Sequence, residues 1–149
     1  MNEFVWTARV RADEEQTVTV HARNHAFRIG EPLSFRPTDT YPSALEHLLA
    51  ALAADLAGTF RSIARRKRIV LDNLEIAVNG LLHDPLAHVG VVGEDGDPSL
   101  KSVNGVLYVS SDAPPETLHE AWATTLRRSP IYRTLSRSAD IQIRFELTI

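Results

Sequence analysis

The stretch Pro42-Ser43-Ala44-Leu45-Glu46-His47-Leu48-Leu49-Ala50-Ala51-Leu52-Ala53-Ala54-Asp55 decides the fold. Ser43 and Glu46 are spaced as a capping box, in which each side chain satisfies the other residue's free backbone amide. From there Leu45, Leu48, Leu49, Leu52, Leu56, Phe60 and Ile63 recur at steps of three and four, which predicts one apolar stripe on a helix running to about Lys67. The opposite face carries Ala50, Ala51, Ala54, Ala57 and Gly58, also apolar but small. A helix apolar all round is expected to be a central helix, closely approached on both sides. Arg61, Arg65, Arg66, Lys67 and Arg68 gather at its end, where cations complement the helix dipole and free carbonyls.

Upstream the pattern is extended. Phe4, Trp6, Ala8 and Val10 alternate with Val5, Thr7, Arg9 and Arg11, the period of a strand with one buried face. Asp13-Glu14-Glu15 reads as a turn, Thr17 to Ala22 as a β-branched strand, and His25 to Ile29 as a third strand ended by Gly30 and Pro32. Downstream, extended segments are expected at Leu74 to Leu82, His88 to Val92 and Val103 to Ser110. Glu94-Asp95-Gly96-Asp97-Pro98 is the turn between the last two. Asp112 and Pro114-Pro115 open a second helix bearing Leu118, Ala121, Trp122 and Leu126 on one face. Ser129-Pro130 caps a short further helix to about Ser136. Ile141, Ile143, Phe145, Leu147 and Ile149 then alternate with polar residues in a closing strand. Strands and helices arrive in blocks, so the expected class is α+β, with antiparallel sheets around the central helix, in a single domain over residues 1–149.

Composition narrows the functions available. The 149 residues are 44% hydrophobic and 23% charged, ordinary for a globular domain, and carry a formal net charge of −3. No run approaches the roughly 20 apolar residues of a membrane span. The first residues lack the basic start and apolar core of a signal peptide, so a cytoplasmic address is expected and a membrane is not. Acidic balance and the lack of aromatic residues among the basic ones argue against nucleic acid as a partner. There is no cysteine, which excludes disulfides, cysteine-ligated metal centres and thiol chemistry by the chain itself. Six histidines are present; His21 with His25, and His83 with Asp84 and His88, match no recognised ligand spacing, and no metal or other cofactor is expected.

Two segments carry a resemblance. The Pro42–Asp55 stretch is similar to the first signature of the OsmC/Ohr family of thiol peroxidases, a proline-initiated, alanine-rich helix leading to a cysteine. Arg128-Ser129-Pro130-Ile131-Tyr132-Arg133-Thr134-Leu135 resembles its second, in which a cysteine precedes proline and an Arg-Thr-Leu run follows. Their separation agrees as well, and the likeness covers essentially the whole chain. It implies an intertwined two-fold homodimer with sites at the subunit interface. In active members the first cysteine is the peroxidatic thiolate and the second resolves its sulfenic acid. Here those positions hold Asp55 and Ser129, neither of which can run an oxidation–reduction cycle, so peroxidase activity is not carried over. The family's glutamate near the start of the helix falls at about Glu46, and its early-strand arginine could be Arg9, Arg11, Arg28 or Arg36.

Asp55 stands out on the residues alone, as the one ionisable side chain from Leu48 to Phe60. It lies on the flank of the leucine stripe, near Leu48 and Thr59. A buried, unpartnered carboxylate there would cost several kcal/mol. It could form a structural pair with an arginine, anchor a ligand, or act in acid/base catalysis. Ser129 reads as a helix cap, and no His–Asp arrangement activates it as a nucleophile. Glu46 reads as the capping-box partner, and Tyr132 and Arg133 as pocket residues or as ordinary packing and surface charge. Three functions are open: a dimeric module whose interfacial pocket binds a small apolar or acyl-type molecule, a cysteine-independent enzyme using Asp55 and Glu46, or a purely structural module. Nine positions separate Glu46 from Asp55, so they project in nearly opposite directions from one helix.

Overall fold

In the computed structural model, which describes residues 3–32 and 41–148, the long helix α1 spans Ala44–Arg66. It starts where the capping box requires. The Ser43 amide donates to Glu46 Oε2 at 2.6 Å, and the Glu46 amide donates to Ser43 Oγ at 3.3 Å. Arg65 and Arg66 occupy the last turn. The chain divides into two compact units, Met1–Leu48 and Leu49–Ile149. No helix among the described residues is long and apolar enough to cross a membrane.

The first unit holds three strands, β1 (Arg9–Ala12), β2 (Val18–Ala22) and β3 (His25–Ile29), joined as an antiparallel meander in that order. Asp13 organises the β1–β2 turn: its carboxylate accepts from Thr19 Oγ1 at 2.8 Å and Thr17 Oγ1 at 3.3 Å. The strand expected from Phe4 onward forms only from Arg9. Phe4 and Trp6 are 78% and 87% exposed, and their rings face each other at 6.5 Å. Alternation marks a face that gains from cover, and it does not say that the same chain supplies the cover.

The second unit contains β4 (Asn73–Leu82), α2 (Pro85–His88), β5 (Leu100–Ser110), α3 (Pro115–Arg128), α4 (Pro130–Leu135) and β6 (Asp140–Leu147). Its sheet has the order β4-β5-β6. The β4–β5 pair is antiparallel, as expected, but β5 and β6 run parallel. A parallel pair needs a crossover rather than a hairpin, and α3 with α4 is that crossover. The class is α+β, with a mixed second sheet. Val103, Leu107 and Val109 of β5, Leu118, Ala121 and Trp122 of α3, and Leu52, Leu56, Phe60 and Ile63 of α1 make one core. Phe60 is fully buried between Trp122 and Phe145, at ring distances of 6.3 and 6.0 Å. Removing a side chain of this size from water contributes roughly 1.5–3 kcal/mol.

Among the described residues, α1 turns Leu52, Leu56, Phe60 and Ile63 into the core, while Ala50, Ala54 and Gly58, one turn apart, are exposed, and a Cβ at Gly58 would meet nothing within 4 Å. One further expectation is corrected here: His88 to Val92 is not a strand. Asp84-Pro85 is a helix start, in which the Asp84 carboxylate accepts from the amides of Leu86 and Ala87 at 3.0 and 3.1 Å. Asp84→Ala is therefore expected to cost about 1 kcal/mol, the usual value of an N-cap, read as a lower urea midpoint at unchanged slope.

Candidate functional site

Asp55 sits midway along α1, and Ser129 sits where α3 gives way to α4. Proline at 130 disfavours helical backbone at the residue before it. Ser129 accordingly takes extended angles, φ −72° and ψ 114°, and closes one helix while capping the next. Its hydroxyl oxygen accepts from the Tyr132 amide at 3.1 Å. Its hydroxyl hydrogen goes to Asp55, so that Ser129 Oγ donates to Asp55 Oδ2. The same carboxylate oxygen accepts from the Ile131 amide at 3.1 Å. One carboxylate thus satisfies a fully buried hydroxyl and an orphan amide in the first turn of α4.

This arrangement explains how a carboxylate survives on a half-buried flank. Among the described residues, the partners of Asp55 are a serine hydroxyl and a backbone amide of its own unit. It also limits the chemistry. The one hydroxyl proton of Ser129 is given to a carboxylate, and its oxygen receives an amide. The group is held as a hydrogen-bonded link between two helices, with no imidazole in the chain of bonds to activate it.

The remaining expected site residues lie elsewhere or contribute differently. The Glu46 carboxylate is taken up by Ser43, whose amide first and hydroxyl second hold it below the usual glutamate range. Tyr132 contributes its amide to Ser129, and its ring packs partly buried against the core. Arg133 is exposed. Arg9 and Arg11 are exposed on β1, opposite His21 and Thr19. Arg28 lies over the Tyr41 ring at 5.7 Å, donates to the Tyr41 hydroxyl at 3.4 Å and reaches Asp13 at 4.0 Å. Arg36 lies outside the described residues. Among the described residues no three His, Asp or Glu side chains are grouped to hold a metal ion.

Beside Asp55 the second unit has an open cleft of about 310 Å³. Asp55, Thr59, Ser62 and Arg66 line it from successive turns of α1, and Arg128 lines it from the end of α3. Sequence reasoning missed these last four residues. Their signal was present, since positions 55, 59, 62 and 66 form one strip at helical spacing and Arg128 precedes Ser129.

Residues 37–144 match the sequence profile of OsmC-like proteins. No curated protein sequence matches the chain. Among solved structures, an OsmC-like protein from Mycoplasma pneumoniae superposes with a TM-score of 0.81 at 19% identity, over 99% of this chain and 100% of that one. An OsmC-like protein from Vibrio cholerae gives 0.76 at 14% identity, over 98% and 100%. The organic hydroperoxide resistance protein OhrB of Bacillus subtilis gives 0.64 at 16% identity, over 96% and 98%. At these identities the structures speak for the fold alone, and the profile match over most of the chain speaks for descent: the chain belongs to the OsmC-like protein family, as a member without cysteine.

Proposed function

We propose that this chain is a single OsmC-like domain that forms a cytoplasmic homodimer, lacks thiol peroxidase activity, and uses the cleft beside Asp55 to bind a small apolar or acyl-type molecule. The observation that carries the reading is the open cleft itself. It lies at the lower end of the roughly 300–1,000 Å³ usual for small-molecule sites, and Ala54, Gly58 and Ile63 give it an apolar floor. Asp55 and Ser129 stand at the positions that the family signatures give to sulfur, and in this reading they support the cleft without reacting. The exposed small-residue face of α1 supports the dimer. A partner subunit that spans Ala50, Ala54 and Gly58 would roof the cleft rather than fill it, so that the pocket lies at the subunit interface and apolar surface is removed from water.

Gly58 offers the test. Leucine there has open space and a better helix propensity than glycine, so Gly58→Leu should fold while its side chain enters the cleft. Titrating 1-octanol into the native protein by calorimetry is expected to give saturable binding, with two chains per particle by sedimentation. The variant is expected to lose that binding at least about ten-fold, the effect of roughly 1.4 kcal/mol. Absence of binding to the native protein, or equal binding to Gly58→Leu, would refute the pocket; a single-chain particle would refute the dimer.

A further inference from the structure

The Asp55 carboxylate uses its two oxygens unequally. Oδ2 takes both bonds at the helix junction, from the Ser129 hydroxyl and the Ile131 amide. Oδ1 accepts no hydrogen bond among the described residues, and it is open to solvent rather than sealed in the interior. Because Oδ2 is turned toward the fully buried Ser129, the oxygen left to line the cleft is Oδ1. A carboxylate oxygen on a convex surface is satisfied by water and swings with its side chain. This one belongs to the wall of a concavity of about 310 Å³, and the two bonds on its neighbour hold it still. An acceptor fixed before a ligand arrives spares the cost of ordering it on binding. Ala54, Gly58 and Ile63 line the same cleft with apolar surface, and an apolar lining with a few placed polar groups is usual for a small-molecule site.

We infer that Asp55 Oδ1 anchors a hydrogen-bond-donating head, so that the cleft selects a neutral amphiphile ending in a hydroxyl or a primary amide over one whose head only accepts. This rests on the cleft being a ligand site, as proposed above, and adds the chemistry of the ligand's head. A carboxylate oxygen accepts and does not donate, so only a head with an O–H or N–H bond answers it. A carboxylate head lacks that hydrogen and brings a like charge. An ammonium head has the hydrogen but shares the cleft with the guanidinium groups of Arg66 and Arg128. The other polar groups of the lining do not make this choice. The hydroxyls of Thr59 and Ser62 both donate and accept, and the arginines offer donors that an alcohol oxygen and an ether oxygen take alike.

1-Octanol and 1-methoxyheptane separate the two statements, since they are isomers, one with a hydrogen on its oxygen and one without. Binding of either reports the cleft, and the ratio of their affinities, read by calorimetry, reports the bond to Oδ1. The native protein is expected to prefer the alcohol by about ten-fold or more, in line with the net worth of a hydrogen bond to a charged group. Asp55→Asn tests the oxygen itself. The Ser129 hydroxyl and the Ile131 amide both donate toward the Oδ2 place, so the new amide must turn its oxygen to them and put its NH2 where Oδ1 stood. An NH2 donates to alcohol and ether alike, and the preference is expected to fall to about one. Circular dichroism and a melting curve check that the variant is folded. Octanamide against its isomer N,N-dimethylhexanamide repeats the comparison on the native protein alone, with the same preference expected for the head that donates. Equal affinities within either pair, or a preference for octanol that survives in Asp55→Asn, would overturn the donor-head site and leave the cleft standing. Binding of none of the probes would overturn both.

Discussion

Asp55→Ala is expected to destabilise the protein by about 2–4 kcal/mol, because the carboxylate closes two hydrogen bonds at the junction of three helices and hydrogen bonds to a charged acceptor are each worth roughly 1.5–3 kcal/mol net. The two are not fully additive, since they share Oδ2. Alanine leaves the fully buried Ser129 hydroxyl without an acceptor and the Ile131 amide without a partner. Asp55→Asn keeps an oxygen acceptor in the same place and should lose less than half as much. Ser129→Ala removes both the cap on Tyr132 and the donor to Asp55, and it should fall between the two, near the roughly 0.5–2 kcal/mol of a lost N-cap plus the coupling. Urea unfolding of the three variants reads these differences directly. If Asp55→Ala unfolds at the native midpoint, the carboxylate is not the link that ties α1 to α4, and its place in the helix has some other cause.

The parts of the fold that could be read from the sequence are those in which one local rule decides the outcome. Ser43 and Glu46 sit at capping-box spacing and cap α1; Ser129-Pro130 reads as a cap and is one; Ile141 to Leu147 alternates and forms β6. The failures have a common physical origin in information that a local pattern does not hold. Phe4 and Trp6 alternate like buried strand residues and are exposed, because a pattern of apolar faces does not specify what covers them. The orientation of β6 follows from the crossover through α3 and α4, which alternation within a strand cannot encode. His88 to Val92 reads as extended from its apolar residues, whereas Asp84-Pro85, four residues earlier, starts a short helix that His88 ends. At the candidate site, chemistry made Asp55 conspicuous, since a lone carboxylate among apolar residues needs a partner. Which partner it has was not legible. An arginine and a serine cap satisfy the same requirement, and only the path of the α3–α4 junction brings Ser129 and the Ile131 amide to it.

The double variant Asp55→Cys, Ser129→Cys is expected to form an intramolecular disulfide when treated with cumene hydroperoxide, passing from two free thiols per chain to none. The side chains at the two positions touch in the native protein, through the Ser129 hydroxyl and the Asp55 carboxylate. The Ile131 amide, which donates to Asp55, would donate instead to a thiolate at 55 and favour its ionised form, as amides at helix starts do. The steps balance. The thiolate at 55 attacks the O–O bond, giving a sulfenic acid and releasing cumyl alcohol once the leaving alkoxide takes a proton. The thiol at 129 then attacks the sulfenic sulfur, forming the S–S bond and expelling water. A disulfide needs its Cβ atoms at about 3.8 Å, and because Cβ positions follow the backbone, any closing of the gap comes from a small shift of α1 against the start of α4. Thiol titration and the mobility of the non-reduced chain give the readout, with each single cysteine variant as the control that cannot close an internal bond. Two thiols persisting after peroxide treatment would mean that contact between Asp55 and Ser129 does not make the pair a redox site in waiting. The correspondence between these two positions and the family's sulfur atoms would then fail, even though the fold is shared.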